Sequence, residues 1–463
     1  MKRTVVILVV VLLVLALAIP VINLVVPVPV PDQFRSIPTT SPAMAQVKEI
    51  FATKCAMCHM ENPGLPFYAR LPVASTLIER DVRKGTAIWN AAELLQKGGR
   101  DVVGLAKLEQ SVELGTMPIF QYLLLHWNAR LTAQERAAIL AWVQEVRTQS
   151  LFRGLAATQW ATFPVQPLPA RWVTPLDERK VELGRRLYHD KRLSTDDTIS
   201  CASCHELSKG GTDQRRFSLG VRNQEGDINA PTVFNAVFNI AQFWDGRAKD
   251  LADQAGGPPL NPIEMASSWP EIIGKLSRDA ELTALYREVY GVETWEPLKI
   301  QDAIAEFEKT LITPDSPVDR YLKGDSTALT EQEARGVRLF KEHSCATCHT
   351  GESMGGQSFE KPHDPAAFYA SLGRAPHKPD YGRFNVTSNE SDRFKMKVPN
   401  LRNLARTFPY LHDGSQTNLK DVVRLMHDHF VPPLNRRRLS DADAEAIAAM
   451  LLKNTGTLNG QPL

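Results

Sequence analysis

The chain opens on an apolar stretch and then changes character. From Val5 to Val26 a run of aliphatic residues is broken only by Pro20 and Asn23, with Lys2 and Arg3 ahead of it. Twenty-two residues in a helix span about 33 Å, enough for the hydrocarbon core of a bilayer. The flanking cations favour a cytoplasmic N-terminus. The pattern predicts an uncleaved membrane anchor over residues 1–27. Ala43-Met44-Ala45 has the small-x-small form of a signal-peptidase site, so cleavage at Ala45 is the rival, although it lies 17 residues beyond Val26.

After the run the periodicity is helical. Gly184, Leu187 and Tyr188 share one helix face, and Gly336, Leu339 and Phe340 repeat the arrangement. A glycine on such a face lets a second helix approach closely. Thr132 with Glu135 and Thr330 with Glu333 form capping boxes, and Ser440 caps a helix running to about Leu452. No long alternating apolar pattern calls for a large sheet. The prolines from Pro27 to Pro42 read as a stiff stalk over 28–46, and Pro164, Pro167, Pro169 and Pro175 mark a linker over 151–176.

Composition narrows the choices. More than 400 residues follow the apolar run, enough for two to four domains. A net charge of +2 gives no case for nucleic acid or a strongly acidic partner.

The six cysteines carry the chemistry. They fall in Cys55-Ala-Met-Cys58-His59, Cys201-Ala-Ser-Cys204-His205 and Cys345-Ala-Thr-Cys348-His349, spaced 146 and 144 residues apart. Cys-x-x-Cys-His is the attachment signature of c-type haem: two thiols add to the porphyrin vinyls and the histidine becomes the proximal iron ligand. No Cys-x-x-Cys is left over to complete a zinc cage. Three covalently bound haems c are predicted, with His59, His205 and His349 as iron ligands. The fold expected is mainly α: the N-terminal transmembrane helix followed by three helical haem domains of cytochrome c type at 47–150, 177–322 and 323–463. Thioether attachment normally takes place outside the bacterial cytoplasmic membrane, which predicts a periplasmic body on a single-pass inner-membrane anchor.

A haem's role depends on its sixth position. Gly115-Thr116-Met117-Pro118 presents a thioether from a loop before a helix, and Met117 is the expected distal ligand of the first haem. A core-filling methionine is the rival reading, and His126 is the other candidate ligand.

Residues 177–455 resemble the bacterial di-haem cytochrome c peroxidases. The stretches that carry the resemblance are Leu187-Tyr-His-Asp190, Asn229-Ala-Pro-Thr232, Gln242-Phe-Trp-Asp-Gly-Arg247, Asn261-Pro-Ile-Glu-Met265, Val398-Pro-Asn-Leu-Arg-Asn403 and Pro409-Tyr-Leu-His-Asp-Gly414. Residues 48–150 resemble a separate haem-binding domain with its Cys-x-x-Cys-His, Pro66-Phe67-Tyr68 and Met-Pro. Anchor, extra haem domain and peroxidase core together resemble the membrane-bound tri-haem peroxidases, some of which oxidise quinol.

The resemblance implies residue roles. Glu264 matches the catalytic carboxylate, suited to carry a proton from the inner to the outer oxygen of peroxide. Gln254 matches the amide that hydrogen-bonds the polarised peroxide. Trp244 matches the tryptophan between the two family haems, where it shortens the electron path or packs the interface. Met426 matches the distal ligand opposite His349, with His427 and His429 as competitors. Asn229, Thr407 and Pro409 match a calcium site between the haems, and His412 a pocket residue at the same interface.

One departure matters. Many di-haem members place a blocking histidine over the peroxidatic haem in a Gly-His-Gly loop. Here Ser218-Leu219-Gly220-Val221 stands in that stretch, and no histidine lies between His205 and His343. The second haem is therefore expected to be open without reductive activation.

The activity implied is reduction of hydrogen peroxide to water with electrons from membrane quinol. A soluble cytochrome c is the alternative donor, and a homodimer is compatible with the family. A non-catalytic multihaem electron-transfer subunit is the reading from another class. Related enzymes that oxidise tyrosine or tryptophan on a partner protein carry tyrosine at the axial position, which Met426 argues against.

Overall fold

The computed structural model describes residues 17–26, 28–151 and 163–463. The protein is mainly helical, about 52 % helix, and the strands among the described residues are two-residue antiparallel pairs, Phe359–Glu360 with Met396–Lys397 and Thr457–Leu458 with Gln461–Pro462. The chain divides into two compact units, 1–155 and 156–463.

In the N-terminal unit three helices frame the first motif: α1 (Pro42–Lys54), α2 (Val102–Leu114) and α3 (Ala133–Leu151). The Thr132/Glu135 box opens α3, as the sequence predicts, and Ser41 caps α1. Their apolar faces meet around Phe51, which lies 5.3 Å from Trp89 and edge-on to Trp142 at 6.1 Å. The Pro-rich segment read as a stiff stalk contributes side chains to this core. Phe34 and Ile37, apolar residues set between the prolines, are buried against it. Residues 17–25 are helical. The rest of the apolar run, residues 1–16, lies outside the described residues. Among the described residues no helix is long and apolar enough to cross a membrane.

The C-terminal unit contains the second and third motifs, each beside a helix pair of the same design. Helix α4 (Glu178–Tyr188) packs against α6 (Pro297–Glu308), while α5 (Leu251–Ala255) packs on another face of α6. Helix α7 (Glu331–Glu342) packs against α9 (Asp441–Lys453), with α8 (Leu419–Phe430) beside α9. The two glycines singled out in the sequence sit at the crossings. A Cβ on Gly184 would collide with the Ala303 carbonyl, and one on Gly336 with the Ala446 carbonyl. Residues of the expected linker, Phe163, Val165 and Leu168, are buried in this unit. Buried Arg402 ties them in, donating to the Gln166 carbonyl at 2.9 Å while pairing with Asp319 at 2.8 Å.

Candidate functional site

The three motifs share one arrangement. Each Cys-x-x-Cys-His closes as a tight turn, the histidine N–H donating to the carbonyl of the first cysteine, at 3.0 Å for His59, 2.9 Å for His205 and 3.0 Å for His349. In each, Nδ1 faces a backbone carbonyl: Trp89 at 3.1 Å, Gly211 at 3.4 Å and Met354 at 3.2 Å. A carbonyl only accepts, so Nδ1 carries the proton and Nε2 keeps its lone pair for a metal. Burial holds all three imidazoles neutral, lowering His205 and taking His59 and His349 down to about 4. Neutral imidazole is the ligating form. None of the six cysteines pairs with another in a disulfide.

The third motif opens on a deep, largely apolar cavity. Cys345, Cys348 and His349 line it together with Met426 from α8, so a thioether and an imidazole share one chamber. His427 also lines it, whereas the His429 ring packs against Phe368 at 5.5 Å. His427 lies edge-on to His343 at 5.4 Å, with Nδ1 3.1 Å from Asp428.

One lining residue escaped the sequence reading. Lys397 is buried, makes no salt bridge or side-chain hydrogen bond among the described residues, and is pushed down to about 8 by that burial. An unpaired buried cation is costly; it suits the carboxylates of a porphyrin. Thiols, imidazole, thioether, apolar walls and a lone cation make a donor set that fits haem c.

The same cavity gathers the residues expected between the haems. Trp244 donates from Nε1 to the Asn229 carbonyl at 2.9 Å and stands edge-on to His412 at 6.2 Å. The His412 Nε2 lies 2.6 Å from Asp380, whose carboxyl Arg374 also holds at 2.6 Å. Asn229, Thr407 and Pro409 all line this chamber. The Asn229 amide nitrogen donates to the carbonyls of Arg215 and Arg216, at 2.9 and 3.3 Å.

Around the second motif Tyr188 on α4 donates to the His205 carbonyl at 2.5 Å. Glu264 accepts from the Asn261 amide at 2.6 Å. Burial holds the Glu264 carboxyl above the usual range, an effect that Arg247 and Asn261 oppose. Its charge acts in turn on both Cys201 and Cys204, although burial is the larger influence on each thiol. Its neighbour Met265 packs in the same apolar cluster as Cys201. Gln254 sits half-buried on α5, and no hydrogen bond joins it to Glu264. The loop where a blocking histidine was sought packs onto the carboxylate's own backbone: a Cβ on Gly220 would strike the Ile263 carbonyl, and Val221 is fully buried. Glu308, unsuspected from sequence, is a buried acid whose Oε2 lacks a partner and which burial pushes up to about 8.

In the N-terminal unit His59 stacks on Trp89 at 4.1 Å. Met117 is half-buried in the loop after α2. His126, the other candidate ligand, has its Nε2 2.5 Å from the Tyr68 hydroxyl.

Known proteins share this architecture. Residues 178–327 match the family model described as di-haem cytochrome c peroxidase, and residues 17–145 match one described as a haem-binding domain. A protein of Escherichia coli (strain K12) named cytochrome c peroxidase Ccp is 46 % identical over 403 residues, covering 86 % of this chain and 84 % of its own. The chain belongs to the di-haem cytochrome c peroxidase family. A cytochrome c551 peroxidase of Nitrosomonas europaea is 44 % identical over 58 % of this chain and 79 % of its own. Among solved structures, a MauG-like protein associated with microbial copper homeostasis superposes with a TM-score of 0.54 at 28 % identity, over 63 % of this chain and 93 % of that one. As a family member the protein is a haem-binding, peroxide-reducing oxidoreductase.

Proposed function

We propose that this peroxidase carries three haems c and reduces hydrogen peroxide with electrons drawn from membrane quinol. It would do so as a single-pass inner-membrane protein with its body in the periplasm. The observation that carries the reading is the N-terminal unit. It is a compact body with its own Cys-x-x-Cys-His and its own Nδ1–carbonyl bond at His59, and it is continuous with the apolar run from Val5 to Val26. A tethered peroxidase with a built-in electron carrier needs no diffusing donor.

Haem supplies the redox chemistry; the chain's own residues do the rest. Met117 with His59, and Met426 with His349, would hold the first and third haems, which would then serve as electron carriers. Glu264 moves a proton between the two peroxide oxygens, and burial raises its proton affinity above that of a free carboxylate. Gln254 orients the peroxide. Val221 leaves the second centre open. Trp244 and His412 fill the space toward the third centre, and Asn229, Thr407 and Pro409 supply one amide and two carbonyl oxygens for a calcium ion. A homodimer is compatible with this arrangement.

The test is steady-state peroxide consumption by the full-length, detergent-solubilised protein, with haem content counted by mass spectrometry. Three haems and turnover with a quinol support the reading. Turnover with reduced cytochrome c alone, the donor type named for the Nitrosomonas relative, would replace it by the soluble-donor reading.

A further inference from the structure

The N-terminal unit contains a polar pair that haem ligation does not use. The Tyr68 hydroxyl and His126 Nε2 lie 2.5 Å apart, and both residues are buried. Tyr122 stacks flat on His126, with centroids 4.0 Å apart and planes 7° from parallel. Burial brings His126 down to about 4 and pushes Tyr68 up to about 12, so a neutral phenol donates to a neutral imidazole. The cluster lies in the same compact unit as the first motif.

The surroundings are apolar and open. Leu65, Phe67, Leu71, Phe120, Leu124 and Trp127 are between 43 % and 70 % exposed. They belong to the two segments that the Tyr68–His126 bond joins. Exposed apolar patches of this kind mark interaction sites. The N-terminal apolar segment enters the same corner. The Asn23 amide donates to the Leu125 carbonyl at 2.7 Å. A polar pair sunk in an apolar rim, where a bilayer-length apolar run joins the body, matches a ligand with a polar head and an apolar tail delivered from the membrane.

We propose that Tyr68 and His126 form the quinol-oxidation site, with the exposed rim receiving the quinol's isoprenoid tail. This rests on the reading of quinol as donor. A quinol hydroxyl donates to the Tyr68 oxygen. As one electron leaves for the first haem, Tyr68 passes its own proton to His126 Nε2 and takes the quinol's, and His126 releases its extra proton to water. A second electron and proton follow, leaving the quinone. The two electrons and two protons released equal those consumed in reducing one hydrogen peroxide to two waters.

The test uses the full-length holoenzyme in detergent. Binding of a redox-inert hydroxyquinoline N-oxide is measured by calorimetry, and haem reduction by decylubiquinol by stopped-flow absorbance. Tyr68→Phe and His126→Gln should each weaken analogue binding and slow quinol-driven reduction at least tenfold, while haem content and complete reduction by dithionite persist. Phe120→Ser, on the exposed rim, should weaken analogue binding several-fold and guards against a variant that loses its haem. Wild-type binding and reduction in all three, with quinol still reducing the wild type, would overturn the site and leave the donor reading standing. A wild type that neither binds the analogue nor is reduced by quinol would overturn the donor reading and the site with it.

Discussion

The backbone N–H of Val221 donates to the carbonyl oxygen of Glu264 at 2.8 Å. The loop in which the resemblance to many di-haem members would place a blocking histidine is therefore the loop that holds the backbone of Glu264, the proposed catalytic carboxylate. Gly220 lets the two strands of chain touch, and the Leu219–Glu225 bridge closes the loop behind it. An aliphatic side chain at 221 offers no ligand to iron, and its burial locks the loop down.

Glu264→Gln keeps the shape and removes the base. Turnover is expected to fall by roughly 10²-fold or more, the scale of positioned acid–base catalysis, with haem spectra unchanged. The pH profile supplies a second check. Burial sets the Glu264 carboxyl above the 4.5 of a free one, and proton abstraction needs the ionised form. Wild-type kcat/KM should thus fall as pH drops through that raised value, and the glutamine variant should lose this limb. Near-normal turnover in the variant would remove Glu264 from the mechanism.

The helix crossings make a stability prediction. Gly184→Ala and Gly336→Ala each drive a methyl into a carbonyl of the partner helix. Each should destabilise the C-terminal unit by about 1–3 kcal/mol, the cost of overpacking, seen as a lower midpoint in denaturant titration of the holoprotein. An unchanged midpoint would mean the crossings are looser than described.

Lys397 is expected to influence the third haem. Replacing it by methionine removes a buried positive charge from the cavity that His349 and Met426 share. The oxidised, more positive state gains relative stability, so the midpoint potential should fall by tens of millivolts, the scale of one charge acting over ~10–15 Å at an effective dielectric of ~20. Pairing with a porphyrin carboxylate would raise the lysine from the value that burial alone gives it, so the offset between wild type and variant should persist across neutral pH. Potentiometric titration reads both.

What the sequence made legible was local. Each haem motif is five consecutive residues, each capping box four, and the repeated glycine–leucine–aromatic face lies within a single helix. The partners that complete the sites are distant in sequence. The carbonyl that fixes His59 belongs to Trp89, 30 residues on. Tyr68 meets His126 across 58 residues, and Lys397 is brought to the third motif by tertiary packing. Proline spacing over 28–46 reports backbone stiffness and says nothing of where Phe34 and Ile37 find apolar cover. Val221 was legible only as a departure from a family pattern; its bond to Glu264 required the fold.

The fully oxidised enzyme reveals whether the second haem is open from the start. Electron paramagnetic resonance of the fully oxidised, full-length holoprotein, followed by stopped-flow mixing with hydrogen peroxide, should show a high-spin haem that reacts without prior reduction. Only low-spin signals, with no reaction until one haem has been reduced, would contradict the account and mean that another side chain occupies the position Val221 leaves free.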